Sequence, residues 1–224
     1  MTEQLWTDVD RYIDARVAPP DPVLEAALRE AQDAGLPAIS VSPSQGKLLT
    51  VLARSINARR VLELGTLAGY STIWLARALP PDGRVVTLEF DPKHAAVAQK
   101  NFERAKLAPM IDIRVGPAIE TLPKLAAEKL DPFDFVFIDA DKPNTPEYFE
   151  WALKLSRPGA LIIVDNIVRD GKLANLASDD ASVRAMQRFM DSLARLSTEN
   201  RVVASAVQTV GSKGYDGFAI ALKL

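Results

Sequence analysis

Five short apolar runs, RRVLEL, GRVVTLEF, MIDIRV, FDFVFIDA and GALIIVDN, lie between residues 59 and 166, and they alternate with stretches of helical period. The runs are brief and rich in β-branched residues, which suits strands. The stretches near 70–79, 92–106, 118–129 and 145–155 repeat their apolar positions as amphipathic helices do. Strict alternation of the two favours one arrangement, a parallel sheet covered by helices on both faces. A last helix over 179–196 precedes two more strand-like runs, RVVASAVQ and DGFAIALKL. No helix separates these, so they are expected to pair antiparallel at one edge. The expected fold class is therefore α/β, with seven strands, mostly parallel.

Upstream, the chain reads as three helices over 3–16, 22–34 and 43–57, the second opening at Pro22 and closing at Gly35. Nothing within the 224 residues reads as a linker. One domain over 1–224 is expected, with N-terminal helices to residue 57 and an α/β core from 58. A content of 48% hydrophobic and 25% charged residues suits a chain with a sizeable core. Scattered cations and a net charge of -2 argue against nucleic acid or an anionic membrane as partner. With no cysteine, thiolate catalysis and Cys-ligated metal sites are excluded. The N-terminus MTEQLWTDVDRYIDARV shows no basic-then-apolar targeting pattern, and no run approaches the roughly 20 apolar residues of a membrane span. A cytoplasmic location is expected.

In open α/β sheets ligands bind beyond the carboxyl ends of the strands, so the residues there carry the functional information. The first strand runs into Glu63 and then Gly65-Thr66-Leu67-Ala68-Gly69. Such a turn lets backbone approach a ligand closely. Its G-x-x-x-G spacing is not the G-x-G-x-x-G of a dinucleotide site, which argues against NAD. The second strand ends at Glu89, twenty-four residues after Gly65, where an acid can accept hydrogen bonds from both hydroxyls of a ribose. Taken singly, the turn also reads as structural and Glu89 as a solvated acid; together they point to a nucleoside without a pyrophosphate.

Asp139, Asp141, Asp165 and Asn166 close the fourth and fifth strands. Neighbouring carboxylates repel unless a cation joins them. Oxygen donors without imidazole or thiolate suit Mg²⁺ or Ca²⁺ rather than zinc. The competing reading is helix capping plus a salt bridge to Lys142. On the metal reading, Lys142 stands within reach of the bound substrate as a general base. His94, the lone histidine, reads as a surface or capping residue, and Trp6, Trp74 and Trp151 as packing residues. Tyr148 fits either a site wall or the core.

From VSPSQGKLL through VLELGTLAGYST, VVTLEFDP, VGPAIETLPKL and FDFVFIDADK to RPGALIIVDNIVRDG, the chain resembles the cation-dependent O-methyltransferases. These include catechol O-methyltransferase and the caffeoyl-CoA O-methyltransferase group with its bacterial relatives. The resemblance covers nearly the whole chain. It implies the Rossmann-like S-adenosylmethionine-dependent methyltransferase fold. It also implies that Glu63, Gly65, Tyr70 and Ser71 line the S-adenosylmethionine pocket, with Glu89 on the ribose, Ala118 near the adenine, and Val41 and Ser42 over the methionine end. Asp139, Asp165 and Asn166 would hold Mg²⁺ or another hard divalent cation such as Ca²⁺ or Mn²⁺, with Asp139 also facing the donor and Lys142 as base.

The implied reaction is methylation of one hydroxyl of a vicinal diol on an aromatic small molecule, and the implied assembly is a homodimer that uses the N-terminal helices. Asp141 departs from the aromatic residue that precedes the lysine in animal catechol enzymes, so a substrate wall built on that aromatic does not carry over. The stretches 37–46, 143–147 and 167–178, with TVGSKGYDG, are expected to shape the acceptor pocket. Two rivals are a nicotinamide-dependent oxidoreductase on a similar sheet, weakened by the missing third glycine, and a Mg²⁺-binding signalling module of receiver type. The extra N-terminal helices and Glu89 weaken the second.

Overall fold

The computed structural model describes residues 2–224. Seven strands form one sheet: β1 Arg60–Leu64, β2 Arg84–Glu89, β3 Ile111–Val115, β4 Phe133–Ile138, β5 Ser156–Asp165, β6 Val202–Gly211 and β7 Gly214–Lys223. Their order is β3-β2-β1-β4-β5-β7-β6. The first five pair in parallel, and β7 lies antiparallel between β5 and β6. The expected edge pair is therefore present, with β6 outermost. Because β1 is followed outward by β2 on one side and by β4 on the other, chain order reverses between β1 and β4, and the crevice above that point is where a ligand finds room.

Among the described residues eight helices accompany the sheet: α1 Glu3–Val17, α2 Pro22–Asp33, α3 Pro43–Ser55, α4 Tyr70–Ala78, α5 Pro92–Arg104, α6 Ala118–Ala127, α7 Thr145–Leu155 and α8 Ala181–Thr198. Several begin as local chemistry dictates. Asp21, Ser42, Asp91 and Asp180 accept hydrogen bonds from first-turn N–H groups of α2, α3, α5 and α8, and Pro22, Pro43 and Pro92 occupy first-turn positions with no N–H to satisfy. The cap at Asp180 starts the last helix two residues later than the periodicity suggests. Short 3-10 turns at Ala108–Met110, Lys142–Asn144 and Lys172–Ala174 were not foreseen.

Side-chain alternation along the strands divides the core. Leu62, Leu64, Val136, Ile138, Ile162 and Val164 pack with α6, α7 and α8 on one face. Val61, Val85, Phe135, Phe137 and Ile163 pack with residues of α2, α3, α4 and α5 on the other. Glu63 points to this second face and is fully buried there. Helix α1 buries none of its residues. Among the described residues, no helix is long and apolar enough to cross a membrane.

Candidate functional site

A cavity of about 670 Å³ opens above the switch between β1 and β4. Its wall draws on the turns after β1, β2, β3, β4 and β5 and on Ile39, Ser40 and Val41 ahead of α3. Gly65, Tyr70, Ser71, Glu89, Ala118, Asp139, Lys142 and Asn166, all singled out from sequence, line this one space.

Over the tips of β1 and β2 the wall is made by the glycine turn. Gly65 and Gly69 take φ values of +99° and +81°, open to glycine at little cost. Asn101 donates to the carbonyl of Ala68 at 2.9 Å from within the core and so braces the turn. The Glu89 carboxylate accepts from the backbone N–H groups of Thr66 and Leu67 at 3.2 and 2.7 Å through one oxygen, and from Asp91 at 2.9 Å through the other. One acid thus fixes the turn while its second oxygen stays on the cavity wall. His94 lies beside it, Nδ1 3.4 Å from that oxygen, and lines the cavity. The reading of His94 as a surface or capping residue is corrected: α5 starts so soon after β2 that its first turn faces back into the crevice.

Glu63 is set behind the wall rather than on it. It accepts hydrogen bonds from the hydroxyls of Ser71, Thr72 and Thr87 at 2.7, 2.5 and 2.7 Å, and it meets the cavity through Ser71, which lines it. Burial, partly opposed by those hydroxyls and reinforced by the charge of Asp139, pushes its carboxyl up to about 7 from 4.5. The folded protein therefore holds a proton that the unfolded chain releases. The stability this adds is fully present below pH 4.5 and is lost as pH rises through about 7. Glu63→Gln is expected to remove a slope worth about 3 kcal/mol between pH 5 and pH 8, read as the difference from the parent in urea unfolding at the two pH values. Parallel pH dependences would show that Glu63 is ionised throughout.

At the tips of β4 and β5, Lys142 Nζ donates to Asp139 Oδ1 at 2.7 Å. Asp165 is 5% exposed and accepts from the Asn166 N–H at 2.8 Å and from Gln45 Nε2 at 2.6 Å. Burial first, and the nearby charge of Asp139 second, raise the Asp165 carboxyl above its ordinary range, with Lys142 offsetting part of that. Asn166 holds a left-handed backbone, φ +57°.

Asp141 does not join this group: its carboxylate accepts from Tyr148 Oη at 2.5 Å and Asn144 Nδ2 at 2.6 Å. The expected gathering of four side chains is corrected by the departure of Asp141, leaving Asp139, whose charge acts on Asp165, and Asn166, which lines the same cavity as Asp139. Among the described residues no set of three or more His, Asp and Glu converges. What remains is oxygen-only, with two acids whose mutual repulsion is only partly relieved by one lysine. Such a set fits a hard divalent cation. Tyr148 both lines the cavity and packs in the core.

Ser42 caps α3, donating nothing to the cavity, while its neighbour Val41 lines it. Of the expected acceptor-pocket stretches, 37–46, 143–147 and 167–178 contribute Ile39 to Val41, Asn144 and Arg169. TVGSKGYDG does not contribute; Tyr215 instead borders a separate apolar hollow of about 300 Å³ with Val168, Leu173 and Val207. Trp74 is buried in the core and Trp151 packs against it, as expected. Gln45, Phe90 and Arg169 were not singled out from sequence. Arg169 did carry a signal, a cation three residues past Asn166 on a strand-end loop, whereas Gln45 reaches Asp165 across 120 residues and carried none.

A family model described as O-methyltransferase matches residues 15–224. A catechol O-methyltransferase of Niastella koreensis is 53% identical over 222 residues, with 99% of each chain covered. The crystal structure of an O-methyltransferase from Bacillus cereus in complex with SAH superposes with a TM-score of 0.96 at 51% identity, both chains fully covered. One from Streptomyces achromogenes in complex with SAM gives 0.94 at 46% identity, covering 100% of this chain and 99% of that one. These matches displace the oxidoreductase and signalling readings. A cavity at the switch point, walled by a braced glycine turn and strand-end acids, is what remains to be explained, and the chain that builds it belongs to the O-methyltransferase family.

Proposed function

We propose that this enzyme transfers the methyl group of S-adenosylmethionine to one hydroxyl of a vicinal diol on an aromatic ring, with a divalent cation in the site. The observation that carries the reading is the juxtaposition, in one cavity, of the Glu89-braced glycine turn with Asp139, Lys142 and Asn166, while Asp165, next in chain to Asn166, is buried and does not line the wall.

On the donor side, Glu89 accepts from the ribose hydroxyls, and Ala118 lies along the adenine. Gly65, Tyr70 and Ser71, with Val41 above, enclose the methionine end, and Glu63 fixes Ser71 from behind. On the acceptor side, Asp139, Asp165 and Asn166 would hold Mg²⁺, or Ca²⁺ or Mn²⁺. When bound, that cation supplies chelation of the diol and stabilisation of the charge that develops on the reacting oxygen.

Lys142 Nζ takes the proton from the attacking hydroxyl, and Asp139, 2.7 Å away, keeps the amine at that position. The carbon–sulfur bond breaks as the carbon–oxygen bond forms, leaving the thioether and a methyl aryl ether. The sulfonium is already electrophilic, so most of the protein's contribution is alignment and exclusion of water.

A homodimer belongs to the same proposal. It is supported by the unpaired outer edge of β6, where Val203, Val207 and Val210 are exposed, and by the exposed Leu5, Val9, Ile13 and Val17 along α1.

The test is methylation of catechol by the purified enzyme with S-adenosylmethionine, followed by mass, with Mg²⁺ and again with excess EDTA. Product with Mg²⁺ and at least about a hundredfold less with EDTA is expected, the loss of several kcal/mol of charge stabilisation. Equal turnover in both would sink the metal-dependent reading and leave methyl transfer intact.

A further inference from the structure

The charged side chains that line the cavity have partners, with one exception. Glu89 is held by three backbone N–H groups and faces His94; Asp139 and Lys142 pair with each other; Asp141 accepts from Tyr148 and Asn144. Arg169 lines the same cavity, half-buried. Among the described residues its guanidinium makes no hydrogen bond, and no carboxylate lies within 4.0 Å of it. Asp180, whose carboxyl feels the Arg169 charge, is already engaged by the N–H groups of Ser182 and Val183 at the start of α8.

The backbone that presents Arg169 is built, not slack. Arg169, Asp170 and Gly171 take φ values of +54°, +55° and +80°, and left-handed backbone at two consecutive non-glycine residues costs free energy that surrounding structure must offset. Asp216 in β7 supplies that support. One of its carboxylate oxygens accepts from the N–H groups of Val168, Arg169 and Gly217 at 2.9, 3.1 and 2.9 Å. A fixed loop thus holds an unpartnered guanidinium on the cavity wall, three residues beyond Asn166, which the proposed function assigns to the acceptor side.

We propose that Arg169 is a specificity-determining residue, selecting acceptors whose dihydroxylated ring also carries an anionic oxygen group, a carboxylate or a phosphate. This rests on the catechol reading above and narrows its substrate class. A guanidinium presents a planar fork that matches two anionic oxygens at once. A neutral acceptor would leave that fork desolvated and unpaired, whereas an anionic one satisfies it. The surrounding acids sharpen the effect. Asp139 and Asp141 disfavour an anion approaching in any other orientation, so the pairing also decides which hydroxyl of the diol is turned toward the donor.

The experiment compares the parent enzyme, Arg169→Gln and Arg169→Lys, with Mg²⁺ present, on 3,4-dihydroxybenzoate, its methyl ester and the coenzyme A thioester of 3,4-dihydroxycinnamate. It reads kcat/KM and the ratio of meta to para products. The parent is expected to prefer an anionic acceptor over the ester. Arg169→Gln should reduce that preference about tenfold to a hundredfold and move the product ratio of the anionic acceptor toward that of the ester, while Arg169→Lys keeps part of both. Whichever anionic acceptor loses its advantage identifies carboxylate or phosphate as the group recognised.

An unchanged preference in Arg169→Gln overturns the proposal. So does a rise confined to the KM for S-adenosylmethionine, which would put the guanidinium on the donor's carboxylate. Failure of the parent to methylate any of the three, the neutral ester included, overturns the catechol reading itself and is separable from both.

Discussion

Asp165→Ala is expected to lower kcat for methyl transfer by about three orders of magnitude or more, the scale of losing several kcal/mol of charge stabilisation at the reacting oxygen. On the proposed reading the affinity for S-adenosylmethionine should stay within a few-fold, because Asp165 bonds Gln45 and Asn166 N–H and makes no contact with Glu89 or the glycine turn. Its carboxylate is buried and receives only two hydrogen bonds, from Asn166 N–H and from Gln45. A buried acid so sparsely satisfied beside a second acid is explained by a cation and poorly explained by structure alone. Calorimetric titration of Mg²⁺ into the parent and the variant separates the two causes of lost activity. Loss of turnover with Mg²⁺ binding intact would assign Asp165 to the chemistry and remove it from the metal, and turnover within tenfold of the parent would sink both roles.

Gly65→Ala should damage stability and donor binding together. A Cβ there would lie 2.2 Å from the carbonyl oxygen of Asp139 and 2.8 Å from its carbon. Both are main-chain atoms at the tip of β4, so no side chain can swing aside. The tips of β1, β2 and β4 are also stitched at this point: Gly65 N–H donates to Leu88 at 3.0 Å, and Asp139 N–H donates to Leu64 at 2.8 Å. Prying them apart, on top of a φ of +99°, is expected to cost about 2 to 4 kcal/mol and to weaken S-adenosylmethionine binding at least about a hundredfold. Gly35→Ala isolates the backbone contribution. That glycine has φ +69° and nothing within 4 Å of an added Cβ, so its loss should be about 1 kcal/mol with donor binding unaffected. Urea unfolding and donor titration on both variants decide the matter; if Gly65→Ala behaves like Gly35→Ala, the close approach of the two strand tips has no energetic weight.

The sheet was legible because its signal is local. Val61, Leu62 and Leu64, or Phe135, Val136 and Phe137, are apolar on both faces, as strands covered on both sides must be, and the caps at Asp21, Ser42 and Asp91 mark helix starts within three residues. The strand-end residues were legible for the same reason, since their positions follow from where the strands stop. What was not legible depends on side-chain direction. Asp141 follows Asp139 by two residues yet turns to Tyr148 and Asn144, a choice made by α7, whose position no local pattern encodes. Glu63 lies one residue short of its strand's end where Glu89 ends its own, and it points into the face covered by α4 and is consumed by three hydroxyls. His94 was misread because a periodic helix says which face is buried but not that its first turn overhangs a crevice. Gln45 illustrates the limit best, joining α3 to the tip of β5 across 120 residues through a single hydrogen bond.

That same bond has a consequence for how the protein can be shortened. A fragment starting at Arg59 would retain every strand, the braced turn and both acids, and on inspection would look like a complete catalytic unit. It would nonetheless lack the amide that occupies one oxygen of Asp165 and the Ile39 to Val41 roof. The leading helices are thus not a detachable ornament on the sheet: they carry the amide that engages the acid and they cover one face of the strands, so pruning them opens the cavity and strips the scaffold in the same stroke.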